Sequence, residues 1–253
     1  MKSLKTLLKS RRKAIAFVDY EYWYYSYKNL WHMTPDMEAW RKSLSEEYQI
    51  EDIFVFGDFS SPALSKELEK IRCVPNSIIE TESFCAGNKK DMTVFVMLDY
   101  IYQAANDKNI HTYILVTGDG HFQPVVKYLV QKKRKQVVVY GVQNSFSRQL
   151  QMSATLAVSM PANEEKMAAY YRMIIEDLNY VADKPAIIAT FWSTIEMVAR
   201  KNSVPSEEIH DAMLKMMEEG YIRQKERFLS FNRKVRVVCV DWEKAIADSL
   251  WEI

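Results

Sequence analysis

Three aspartates in this 253-residue chain stand where carboxylates could hold a cation. Asp19 closes the apolar run Lys13–Val18, and Asp119 follows Tyr113–Thr117 inside Thr117-Gly118-Asp119-Gly120-His121. Asp91 comes directly after Lys89-Lys90, at the start of a segment with helical periodicity. Carboxylates gathered in one cleft repel each other, so the group is tolerable chiefly around a hard divalent ion such as Mg²⁺ or Mn²⁺. Such an ion lowers the pKa of water and offsets charge growing on phosphoryl oxygens, which suits hydrolysis of a phosphodiester. Lys89 and Lys90 would then help to hold the phosphate.

The elements that must position these residues are legible as an alternation of two patterns. Short apolar, β-branched runs at 13–18, 52–57, 77–80, 113–117 and 136–142 read as buried parallel strands. Between them, 37–48, 62–73, 90–105 and 122–135 carry helical spacing. Alternating strands and helices predict an α/β sheet with helices on both faces. In such a sheet, ligands bind in the crevice at the carboxyl ends of the strands. Asp19, Asp58 and Asp119 all follow strands, so acidic residues collect on that edge.

Composition narrows the function class. With 48% hydrophobic and 26% charged residues, and only 6 Gly and 7 Pro, the chain is that of a folded globular protein. Lys plus Arg number 34 against 33 acids, so any nucleic-acid surface must be local. Cys73, Cys85 and Cys239 are scattered without a C-x-x-C spacing, which argues against a disulfide framework or structural zinc and fits a cytoplasmic location. No apolar run approaches membrane-span length, and MKSLKTLLKSRRK reads as a short basic amphipathic arm, not a leader peptide.

The motifs FVDYEYW, NKKD before a helix, LVTGDGHFQPVVKYL and VVVYGV followed by SFSRQL together resemble a NYN domain, a PIN-like ribonuclease fold. The resemblance covers 13–160, and T-G-D-G-x-F-x-P is its most specific part. It implies a PIN-like parallel sheet flanked by helices and metal-dependent endonuclease action on RNA. By position, Asp19, Asp91 and Asp119 match the family's metal-binding acids, and Thr117 and Gly118 match the turn that presents Asp119. Asp99 resembles a later helical acid, although eight residues of helix put it about 12 Å from Asp91. Two departures stand out: Tyr22 replaces a usual Asn, and His121 replaces the second acid of D-x-D. A neutral imidazole binds transition metals, so His121 shifts the expectation toward Mn²⁺. The acid often found near the end of this domain type is absent around Ala154 and Thr155.

Plainer readings compete. Aspartates after strands also act as helix N-caps and turn formers. Tyr20, Tyr22, Trp23, Tyr24, Tyr25, Tyr27 and Trp31 crowd what reads as the first loop. There Tyr22 and Trp23 could stack RNA bases, or the rings could form a buried cluster. Lys132-Lys133-Arg134-Lys135 reads as a solvated helix terminus.

Strand-like runs stop near Met160-Pro161-Ala162-Asn163, so the expected domains are 1–163 and 164–253. The second has helical stretches at 164–181, 186–201 and 205–220, then a hairpin over 221–231 and 234–240, a winged-helix pattern. Its third helix carries Glu207, Glu208, Asp211, Glu218 and Glu219 and would repel phosphates. The hairpin instead carries Arg223, Lys225, Arg227, Arg233, Lys234 and Arg236, suited to RNA backbone contacts. Docking of a protein partner or a second copy competes equally. The reading that follows is a divalent-metal-dependent endoribonuclease. The alternative is a NYN fold that has lost catalysis and regulates by binding RNA or protein. A phosphatase or nucleotide hydrolase is a third class, since metal–water chemistry does not choose the substrate.

Overall fold

The computed structural model describes residues 12–81, 92–182, 184, 187–228 and 234–251. They divide into two compact units. One runs to Met160 apart from Leu30–His32; the other comprises Leu30–His32 and the residues from Pro161 onward.

The first unit begins with β1 (Arg12–Asp19), α1 (Tyr20–Trp31), α2 (Met37–Glu47), β2 (Tyr48–Gly57), α3 (Pro62–Ile71), β3 (Ser77–Glu80) and α4 (Met92–Ala104). It continues with β4 (Thr112–Val116), a 3-10 turn (Gly120–Phe122), α5 (Gln123–Lys127), a π-helical turn (Tyr128–Lys132), β5 (Gln136–Val142), α6 (Arg148–Ser153) and β6 (Leu156–Met160). All six strands are parallel, in the order β3-β2-β1-β4-β5-β6. This is the PIN-like α/β sheet that the sequence implies.

β1 is central and covered on both faces, which is why Ala14–Val18 is an unbroken buried run. One face of the sheet packs Phe17, Tyr113 and Val139 against Met97 and Ile101 of α4 and against Phe122. The Phe17 and Tyr113 rings stack 6.3 Å apart, and the Tyr113 hydroxyl donates to Ala104 O at 2.6 Å. Helix starts follow ordinary capping chemistry: Asp36 caps α2, and Ser61, followed by Pro62, caps α3.

Three sequence expectations are corrected. The stretch after β1 is helix, not loop: α1 starts at once, and Tyr20, Trp23, Tyr24 and Tyr27 recur at helical spacing on its buried face. β6 is an added edge strand whose exposed Leu156, Ala157 and Ser159 gave no strand signal. The helix expected over 122–135 is broken into a 3-10 turn, α5 and a π turn, in which the Lys133 N–H reaches back to Tyr128 O. Arg134 then adopts a left-handed conformation (φ +56°) that ends the turn before β5.

The second unit holds α7 (Asn163–Ala182), α8 (Phe191–Asn202), α9 (Ser206–Glu218), the antiparallel pair β7 (Ile222–Phe228) and β8 (Lys234–Val240), and α10 (Trp242–Ala247). α8 begins at Phe191, later than the expected 186, because Thr190 and Ser193 form a capping box there. The chain just before it lies along β8, where Val238 N donates to Ala189 O at 2.8 Å. Ile174, Val198, Ile209, Ala212, Met213 and Met216 make this unit's core. Met217, next to Met216 on α9, is only half-buried. No helix among the described residues is long and apolar enough to cross a membrane.

Asp177 is buried on α7 among these apolar residues, and burial raises its pKa against the opposing pull of Lys201. A carboxyl whose folded pKa is raised costs stability once it ionises, so the penalty is present above the folded pKa and absent below the unfolded one. Asp177→Asn is therefore expected to raise the Tm at pH 7.5, with the gain shrinking as the pH falls through the raised folded pKa and lost below about 4. Thermal melts of both proteins across that range would check it; a gain independent of pH would contradict it.

Candidate functional site

The strand order reverses between β1 and β4: β2 and β3 follow on one side of β1, β5 and β6 on the other side of β4. Neighbouring connections leave in opposite directions there, opening a crevice at the carboxyl edge. β1 and β4 pair in register through Val18 and Val116. Asp19 and the Thr117-Gly118-Asp119 turn therefore emerge side by side at that crevice.

Each aspartate also closes a helix start. Asp19, 5% exposed, accepts from Tyr22 N at 2.9 Å through Oδ1, capping α1. Asp119 Oδ1 accepts from His121 N at 2.9 Å and capps the 3-10 turn, while its own N–H donates to Thr117 Oγ1 at 3.2 Å. The exposed His121 ring places Nδ1 2.8 Å from the same Oδ1. Asp119 Oδ2 has no hydrogen bond with a described residue. The bland cap and the sharp ligand are thus compatible roles of one side chain.

Tyr22 is placed where sequence reasoning did not put it. Its ring is half-buried, and its hydroxyl accepts from Val142 N at 2.8 Å and from Ser145 Oγ at 3.0 Å while donating to Ser145 O at 3.3 Å. Burial raises its pKa, so it stays a neutral phenol. Gly118 lies directly under it: a Cβ there would overlap the Tyr22 hydroxyl and Ser145 O. Ser147 N donates to Gly118 O at 2.9 Å, and Ser147 Oγ caps α6. Tyr22, Ser145 and Ser147 together hold the turn that carries Asp119. The Ser-rich Asn144–Ser147 stretch after β5 was the available signal for the two serines.

Other expected residues are distributed differently. Trp23 is 2% exposed and packs edge-on against Tyr27 and Trp40, so it offers no face to a base. Asp99 lies on the exposed face of α4, seven residues or about 10 Å along from Met92, and accepts from Gln103 Nε2 at 2.7 Å. That takes it out of the crevice. Asp58 is engaged by the Ser60 N–H and hydroxyl in a turn. Lys89, Lys90 and Asp91 fall outside the described residues, as does Arg233. The residues flanking 82–91 are fixed, however: Thr81 and Thr93 share a buried 2.6 Å hydrogen bond, and Thr81 N donates to Gly57 O at the carboxyl edge. On β7, Arg223, Lys225 and Arg227 are exposed at alternate positions, hence on one face of the hairpin.

Among the described residues no three His, Cys, Asp or Glu side chains converge tightly enough to enclose a metal. Asp19 and Asp119 supply two hard oxygen donors at one crevice, which fits a hard divalent ion completed by a further carboxylate and water.

An open parallel sheet of this order occurs in several α/β folds, and the family match is what makes it a PIN-like, nuclease-type fold. Residues 13–186 match the family model of the NYN domain, and the chain belongs to that family. A protein of unknown function from Vibrio parahaemolyticus has a similar fold in its crystal structure, with a TM-score of 0.55 and 20% identity, covering 64% of this chain and 97% of that one. No curated protein matches the chain.

Tyr22→Phe keeps the ring but leaves the buried Val142 N–H without its acceptor, which costs about 1–3 kcal/mol. Urea unfolding is expected to show that loss, and Gly118→Ala, which forces overlap with the same hydroxyl, is expected to lose a similar amount. Unchanged midpoints for both would show that the turn is not held this way.

Proposed function

We propose that the NYN domain is a divalent-metal-dependent endoribonuclease acting at the β1–β4 crevice. The observation that carries this reading is the emergence of Asp19 and Asp119 side by side at the point where the strand order reverses. Asp19, Asp119 and Asp91 would hold Mg²⁺ or Mn²⁺ through carboxylate oxygens. When bound, the ion supplies an activated water and offsets phosphoryl charge. The chain's own residues do the rest. Tyr22 and Gly118 fix the direction in which Asp119 points, and Lys89 and Lys90 would orient the scissile phosphate. His121, paired with Asp119 Oδ1, leaves Oδ2 to face the ion. Arg223 and Lys225 would contribute contacts to the RNA backbone.

A second reading is favoured by one observation: Asp119 Oδ1 is shared by the His121 backbone and ring. A protein so arranged could bind RNA or a protein partner at the same edge without cleaving.

Asp119→Asn separates the two, because an amide oxygen still caps the 3-10 turn while the negative charge is lost. Cleavage of a labelled single-stranded RNA is expected with Mg²⁺ or Mn²⁺, to vanish with EDTA, and to fall at least 100-fold in the variant at unchanged Tm, since metal–water chemistry carries the step. RNA binding without cleavage under either metal would decide for the second reading.

A further inference from the structure

The edge of the sheet opposite the carboxylates carries a different chemistry. A cleft of about 690 Å³ opens at the amino ends of β1, β2, β4 and β5, within the first unit alone. Its lining carries the cations Arg12, Lys13, Lys108, Lys133, Arg134 and Lys135 and one imidazole, His111; none of the described lining residues is acidic.

The fold explains why the cations gather. In a parallel α/β sheet the helix carboxyl ends point to this edge, where lysines and arginines are favoured by the helix dipole. Lys133 and Lys135 serve that purpose: Lys133 Nζ donates to Asn106 Oδ1, and Lys135 Nζ donates to Asp107 O and Ile110 O, each at 2.6 Å. Lys13 is paired with Glu51 at 2.9 Å. Three cations remain beyond this structural need. Arg12, Lys108 and Arg134 are exposed and make no ion pair with a described residue. Arg134 lines the cleft from the left-handed position at which the π turn ends, where the next residue, Lys135, donates its N–H back to Leu129 O.

We propose that this cleft binds the phosphate backbone of single-stranded RNA, as a second contact remote from the site of cleavage; the inference rests on RNA being the ligand of the carboxyl edge. A lining of six cations and a single imidazole holds phosphates and offers no platform for successive bases, so it reads chiefly the backbone. β1 has eight residues and is about 25 Å long, so only an oligonucleotide of several residues can reach from Asp19 to Arg12. The cleft thus selects for polymer length.

The test is fluorescence anisotropy with labelled 20-mer and 5-mer oligouridylate, without divalent metal, so that it does not depend on catalysis. Wild type is compared with Arg12→Ala/Arg134→Gly, a double variant whose glycine suits the left-handed position and leaves the fold intact, as an unchanged Tm would confirm. For the 20-mer, the variant is expected to bind roughly tenfold more weakly, with the salt slope reduced by about 1.4, or 0.7 for each lost phosphate contact. Oligoadenylate of equal length is expected to lose as much, and the 5-mer to bind the wild type more weakly than the 20-mer. Equal 20-mer affinity and slope in both proteins would overturn the proposal. So would loss of tripolyphosphate binding alone, with RNA unaffected, which would mark a site for small phosphates. Failure of the wild type to cleave RNA would refute the nuclease reading and leave this binding result standing.

Discussion

The reversal of strand order between β1 and β4 is the constraint on which the site depends. Elsewhere along the sheet, connections cover the carboxyl edge from one side and leave no crevice. At this one place the chain must part, and the residues that end β1 and β4 are left facing the gap. Asp19 and Asp119 occupy those positions. A carboxylate at the end of a parallel strand also meets the unpaired N–H groups of the next helical turn, and both residues use that opportunity. Structure and chemistry therefore place the same demand on these positions: an oxygen-bearing side chain, short enough to cap and charged enough to bind.

Much of this was legible in the sequence because buried parallel strands are nearly continuous apolar runs. β3 and β5 have the extents that their residues announce, and β1, β2 and β4 differ only at their ends. β6 was not legible, since an edge strand covered on one face needs few apolar residues, and Leu156 and Ala157 are exposed. The aromatic stretch after Asp19 left a stacking surface and a buried cluster open, and only its place in a loop was wrong. Tyr20, Trp23, Tyr24 and Tyr27 are spaced i, i+3, i+4 and i+7, the signature of a helix face turned to a core. Periodicity outweighed composition, and Trp23 belongs to packing.

The two edges of the sheet have opposite character, and one cause accounts for both. Helix amino ends gather at the carboxyl edge of the strands, where acidic caps are favoured; helix carboxyl ends gather at the other, where cations are favoured. Asp19 and Asp119 follow the first rule, Lys133 and Lys135 the second. With 34 basic and 33 acidic residues in all, this separation is invisible in the bulk charge. It arises only when the topology sorts the residues, so a local cationic surface is compatible with a nearly neutral chain.

Tyr22 shows how a departure from a family pattern can be absorbed. A side chain at this position starts in the first turn of α1 and points toward the turn after β4. A phenol is long enough to cross that gap and reach Val142 and Ser145, more than a hundred residues away in sequence. It can do so only because position 118 lacks a Cβ, so that the hydroxyl sits where a methyl group would be. Tyr22 and Gly118 are thus one device in two places, and neither can change alone without disturbing the backbone that presents Asp119. Tyr22 therefore needs no role on RNA to account for its presence. It substitutes a hydrogen-bonded strut for whatever a shorter amide would provide there, and the direction of the Asp119 carboxylate is the property that the strut controls.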